Sequence, residues 1–135
     1  MRRVTELGHI LVVEDDELLR ECLCEALIDE GYLVARAAEG RAALAEYSAH
    51  RPDLVVLDLM MPVMDGWAFR AAQRELDPAG AVPVIVLSAV PDAAGQVGPL
   101  GAAAVLQKPF DLSGFLDTVS RVISARGRNG VPGGT

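Results

Sequence analysis

Residues 54–58 read Leu54-Val55-Val56-Leu57-Asp58, four apolar side chains without alternation closed by one carboxylate. A run this short and this uniformly apolar is a strand covered on both faces, the condition of strands in a parallel sheet. The same form recurs on either side of it. Ile10-Leu11-Val12-Val13 runs into Glu14-Asp15-Asp16, Val84-Ile85-Val86-Leu87 ends at Ser88, and Ala103-Ala104-Val105-Leu106 leads through Gln107 to Lys108. In an open parallel sheet, ligands bind outside the carboxyl ends of the strands. Those ends here gather three or four carboxylates, one hydroxyl and the only lysine of the chain.

The segments between these runs have helical period. Leu18, Leu19, Cys22, Leu23, Ala26 and Leu27 share one face of a helix that stops near Gly31. Leu33 to Ala37 reads as a short strand. Residues 39–49 form a second helix on Ala43, Leu44 and Tyr47, closed by Arg51-Pro52. Asp65 to Leu76 carries Phe69, Ala72 and Leu76 at helical spacing, then a turn at Asp77-Pro78-Ala79-Gly80. The last helix opens at Asp111 and repeats Leu112, Phe115, Leu116, Val119, Val122 and Ile123. Residues 91–102 hold two prolines and three glycines, so the helix expected there is short or irregular.

Strands alternating with helices imply an α/β fold, a doubly wound five-stranded parallel sheet covered on both faces. Right-handed crossovers favour the strand order 2-1-3-4-5. The winding then reverses between the first and third strands, where Glu14, Asp15 and Asp58 would meet. The expected domain is residues 8–126. Residues 127–135 lack apolar period and read as a disordered tail or the stub of a linker.

Bulk composition narrows the function. A chain of 135 residues fits one domain with a full core. A formal charge of −7 and a pI near 4.7 argue against direct binding to nucleic acid or anionic membrane. No apolar stretch approaches the roughly 20 residues that span a bilayer, and Arg2-Arg3 has no apolar segment behind it as a signal peptide would. A cytoplasmic protein is expected. Cys22 and Cys24 lie roughly 200° apart around a helix, so they neither pair nor share a metal. His9 and His50 have no metal-binding spacing.

Carboxylates converging at one place repel one another and need protons or a cation. An all-oxygen site with open positions suits a hard divalent ion, Mg²⁺ above others. With such an ion present, an aspartate can attack phosphorus and form an acyl phosphate. A lysine and a hydroxyl nearby would offset charge on the phosphoryl oxygens.

Over residues 8–126 the chain resembles the receiver domains of two-component response regulators. The resemblance is carried by Leu11-Val12-Val13-Glu14-Asp15-Asp16, by Leu87-Ser88-Ala89 and by Lys108-Pro109-Phe110. Its most specific part is Asp58-Leu59-Met60-Met61-Pro62-Val63-Met64-Asp65-Gly66, which repeats the family string D-x-x-M-P-x-M-D-G in full. It implies a flavodoxin-like three-layer fold with Asp58 as phosphoacceptor. Asp15, Asp58, the backbone carbonyl of Met60 and, through water, Glu14 would hold Mg²⁺. Ser88 would follow the phosphoryl group on activation and Lys108 would pair with it. Gly66 would supply tight backbone, and the Lys108-Pro109 bond is usually cis in the family. Asp16 aligns beyond the acidic pair as a helix N-cap.

The implied partners are a histidine kinase or histidine phosphotransfer protein as donor and an effector that reads the phosphorylated state. The resemblance also allows a homodimer. Such a domain assists its own modification without being an enzyme in the turnover sense. Two further readings concern switching and the lifetime of the modified state. Val105 stands where the family often has Tyr or Phe, so no aromatic swing is available there. Met60 and Val90 are both apolar, which implies a long-lived acyl phosphate. No output domain is visible after the last helix in these residues, so the expectation is a stand-alone relay, an adaptor or a piece of a longer regulator. The alternative is a phosphorylation-independent receiver-like binding module. An aspartyl-phosphate hydrolase fits poorly, because Asp58 is followed by Leu59-Met60 and no second aspartate acts as acid.

Overall fold

The computed structural model describes residues 7–60, 65–89 and 101–129, the last four as backbone alone. Five strands and four helices lie within them: β1 His9–Val13, α1 Glu17–Glu30, β2 Leu33–Ala37, α2 Gly40–Ala49, β3 Leu54–Asp58, α3 Gly66–Leu76, β4 Val84–Ser88, β5 Ala104–Gln107 and α4 Leu112–Asn129. The helix expected over 91–102 falls mostly outside the described residues. All strands are parallel, in the order β2-β1-β3-β4-β5. This is the five-stranded doubly wound sheet that the apolar runs imply.

The absence of alternation in the central strands has its cause in two cores. Leu11, Val13, Val55, Leu57, Val84 and Val86 face α2 and α3, meeting Ala43, Tyr47 and Phe69. Their neighbours Ile10, Val12, Leu54, Val56, Ile85 and Leu87 face α1 and α4, meeting Leu23, Leu27, Phe115 and Val119. Every residue of β3 and β4 is buried, whereas the edge strands β2 and β5 are only partly covered. Burying one such side chain contributes about 1.5–3 kcal/mol, so the central strands carry most of the driving force.

Helix ends follow their capping residues. Asp16 accepts from the Leu19 amide at 3.0 Å, Asp65 from Ala68 at 2.9 Å and Asp111 from Gly114 at 2.6 Å. Gly31 closes α1 with φ 107°, a left-handed turn in which the Gly31 and Tyr32 amides donate to the carbonyls of Ile28 and Leu27.

Three expectations shift. On α1, the row that faces the sheet is Leu23, Cys24 and Leu27, while Leu18 is 85% exposed and Cys22 lies in the open. The apolar arc is wider than the sheet can cover. On α3, Phe69 is buried as expected but is joined by Arg70 and Gln73, and Leu76 is exposed. Gln73 bonds Tyr47 and Arg70, so a buried polar network takes the place of an aliphatic contact. Finally, α4 runs to Asn129, past Gly127 and into the stretch read as a tail. Once a helix is nucleated each added residue gains a bond, and one glycine does not stop it. Residues 130–135 lie outside the described part.

Candidate functional site

Strand register assembles the site. Val13 lies opposite Leu57, so the next residue, Glu14, is level with Asp58. Asp58 lies opposite Leu87 and Ser88 opposite Gln107, which puts Lys108 one step beyond. The ladder continues past the strands: the Glu14 amide donates to Ala37, Leu59 to Leu87 and Lys108 to Ser88, at 3.1, 3.2 and 2.7 Å. Backbone bonding therefore fixes the base of each of these side chains.

Among the described residues, Glu14, Asp15 and Asp58 form one acidic group whose carboxylate oxygens lie within 4.8 Å of one another. Glu14 and Asp58 are buried and Asp15 is exposed. Lys108 Nζ stands 3.1 Å from Glu14 Oε1 and 3.6 Å from Asp58 Oδ1. Ser88 is buried at the end of β4. Met60, 63% exposed, donates its amide to Asp58 Oδ1 at 3.2 Å. The site residues expected from the strand ends are thus gathered at one rim of the sheet. Val90 lies outside the described residues.

The electrostatics of the rim are strained. Burial, then the charge of Glu14 and the contact with it, push the Asp58 carboxyl from 3.8 up to about 7; Lys108 and the Met60 amide pull the other way. Burial lowers the Lys108 ammonium, but Glu14 and Asp58 outweigh it and hold it above the ordinary lysine value. Glu14 Oε1 is buried without an aligned hydrogen-bond donor, although the ammonium is close. An all-oxygen set in which a buried carboxylate oxygen faces one ammonium and no aligned donor fits a hard divalent cation such as Mg²⁺.

Gly66 closes the floor. A Cβ there would stand 2.7 Å from the Asp58 carbonyl oxygen and from Leu59 Cα, both of them backbone. The Gly66 amide donates to the Leu59 carbonyl at 2.9 Å, so α3 starts directly against the Asp58 peptide. The Lys108–Pro109 bond is cis. Val105 is half-buried against the α2/α3 core.

Residues 10–120 match the family described as the response regulator receiver domain. The chain belongs to that family. It is 38% identical over 110 residues to the transcriptional regulatory protein CseB of Streptomyces avermitilis, covering 80% of this chain and 46% of CseB. It is 35% identical over 119 residues to the transcriptional regulatory protein PdtaR of Mycobacterium tuberculosis, covering 86% of this chain and 57% of PdtaR. Among solved structures, the chemotaxis protein CheY4 of Vibrio cholerae superposes with a TM-score of 0.80 at 34% identity, covering 87% of this chain and 99% of CheY4. This receiver domain spans about half the length of the curated relatives it matches. No helix among the described residues is long and apolar enough to cross a membrane.

One contact of this receiver domain was not anticipated from the residues. Arg20 Nη1 donates to the backbone carbonyl of Glu14 at 3.1 Å. The available signal was its position, since Arg20 is the lone basic residue of an otherwise acidic α1.

Proposed function

We propose that the receiver unit, residues 8–126, takes a phosphoryl group onto Asp58 from the phosphohistidine of a histidine kinase or histidine phosphotransfer protein. A carboxylate oxygen of Asp58 attacks phosphorus, the bond from phosphorus to the donor imidazole breaks, and an acyl phosphate forms. The observation that carries this reading is the convergence of Glu14, Asp15, Asp58 and Lys108 at the ends of three different strands.

Glu14, Asp15, Asp58 and the Met60 carbonyl would hold Mg²⁺. When bound, the ion neutralises the acidic group and draws charge from phosphoryl oxygens. The Lys108 ammonium, already between two carboxylates, pairs with the incoming phosphoryl group. The Ser88 hydroxyl, at the end of the neighbouring strand, bonds another of its oxygens. With Val105 in place of an aromatic, the conformational response runs through Ser88 and the segment that follows β4. The domain works in the cytoplasm as a signalling module that turns over no substrate, and an effector reads its phosphorylated state.

Intact mass after acetyl phosphate and Mg²⁺ tests the assignment. Wild type gains one phosphoryl group and Asp58→Asn gains none. An adduct that persists in Asp58→Asn overturns it, and a wild type that never labels leaves a phosphorylation-independent binding module.

A further inference from the structure

Arg20 is the one basic residue of its helix. The α1 helix carries Glu17, Glu21, Glu25, Asp29 and Glu30, and Arg20 alone opposes them. Its side chain is 15% exposed, and Nε pairs with Glu21 Oε2 at 3.5 Å while Nη1 reaches the Glu14 carbonyl. The other oxygen of Glu21 is bonded by Arg36 of β2. A chain of charge-assisted contacts therefore ties the Glu14 peptide through Arg20 and Glu21 to the edge strand.

The Glu14 peptide needs such a tie. Strand pairing between β1 and β3 ends at Val13, and beyond it the chain turns away toward α1. The Glu14 amide is held by Ala37, and the Asp16 amide by the Glu14 carboxylate at 3.1 Å. The carbonyl between Glu14 and Asp15 is held by Arg20. Orienting that carbonyl sets the backbone torsions on either side of it, and with them the directions in which both side chains leave the backbone.

We infer that Arg20 is a positioning residue: its guanidinium locks the Glu14–Asp15 peptide so that both carboxylates face Asp58. The inference rests on the reading of this rim as a divalent-cation site. Two roles for Arg20 would have opposite signs. As a mere positive charge beside an acidic group, Arg20 would repel a cation, and removing it would tighten binding. As a positioning group, its removal loosens the ligands and weakens binding, by about tenfold or more for residues that orient metal ligands.

The test is calorimetric titration with Mg²⁺ alone, without phosphoryl donor, on wild type, Arg20→Ala, Arg20→Lys and Arg51→Ala. Arg51 stands at the far end of α3, so its loss changes stability without touching the rim. The expected order is Arg51→Ala equal to wild type, Arg20→Lys weaker, and Arg20→Ala weakest, about tenfold below wild type. An Arg20→Ala protein that melts cooperatively and binds Mg²⁺ as tightly as wild type, or more tightly, overturns the inference. Should Arg20→Ala not fold, Arg20→Lys decides alone, because it keeps the charge and loses the fork; affinity equal to wild type overturns. A wild type that does not bind Mg²⁺ removes the cation-site reading and this inference with it.

Discussion

Lys108 is held closer to Glu14 than to Asp58, at 3.1 against 3.6 Å. The lysine thus serves the acidic pair as a counter-charge before any phosphoryl group arrives, and the two tasks can be separated. In Lys108→Met, labelling by acetyl phosphate should slow by about a hundredfold, the usual loss when one donor to a developing anion is removed. Mg²⁺ affinity should not fall, since a positive charge has left the site. Unchanged labelling kinetics would contradict the role given to Lys108.

A buried carboxyl raised from 3.8 to about 7 makes stability depend on pH in the reverse of the usual carboxylate sense. Between those values the folded state binds more protons than the unfolded one, so stability falls as pH rises and levels off above about 7. Without metal, Asp58→Asn should be more stable than wild type at pH 8, by on the order of 2–4 kcal/mol. The gap should close toward pH 4. Urea denaturation in chelator at several pH values measures it; a gap that widens on acidification would be incompatible with this environment for Asp58.

Gly66→Ala drives a methyl group into the Asp58 carbonyl and Leu59 Cα, neither of which can rotate aside. The expected loss is about 1–3 kcal/mol of stability, read from the urea midpoint, together with slower labelling of Asp58. A variant with the wild-type midpoint would mean that α3 can withdraw from β3 without penalty.

Met60 is exposed beside Asp58 and offers no hydrogen bond to an attacking water from its side chain. Once phosphorylated, wild type and Met60→Leu should lose the phosphoryl group at the same slow rate. Met60→Asn should lose it severalfold faster, with stability unaffected because the side chain is exposed. Equal lifetimes for all three proteins would show that this position does not control water.

The parts of this molecule written in short range were readable from the residues. Uniform apolar runs gave β1, β3 and β4, and Asp16 was recognisable as a cap because its partner lies three residues on. The acidic group was readable because parallel sheets collect strand ends. Asp77 shows what was not. In sequence it opens a turn; in the fold it is buried, accepts from the Ala81 and Val82 amides and from the Tyr47 hydroxyl, and pairs with Arg51 stacked over Tyr47. Burial pushes its carboxyl up, but those amides and Arg51 outweigh it and hold it below the ordinary value. Tyr47 and Arg51 are 30 and 26 positions away in the chain, and only the packing of α2 on α3 selects them. The role of Arg20 is hidden in the sequence for a related reason: its acceptor is a main-chain oxygen, which carries no residue identity.

The ladder bonds that run past the strands, from Glu14 to Ala37, Leu59 to Leu87 and Lys108 to Ser88, have an evolutionary corollary. Because main-chain groups anchor these positions, their spacing is insulated from whatever residues decorate the outer helices. Lineages can therefore rewrite the surfaces that choose a conversation partner, acid for base or leucine for cysteine, while the reacting atoms keep their places.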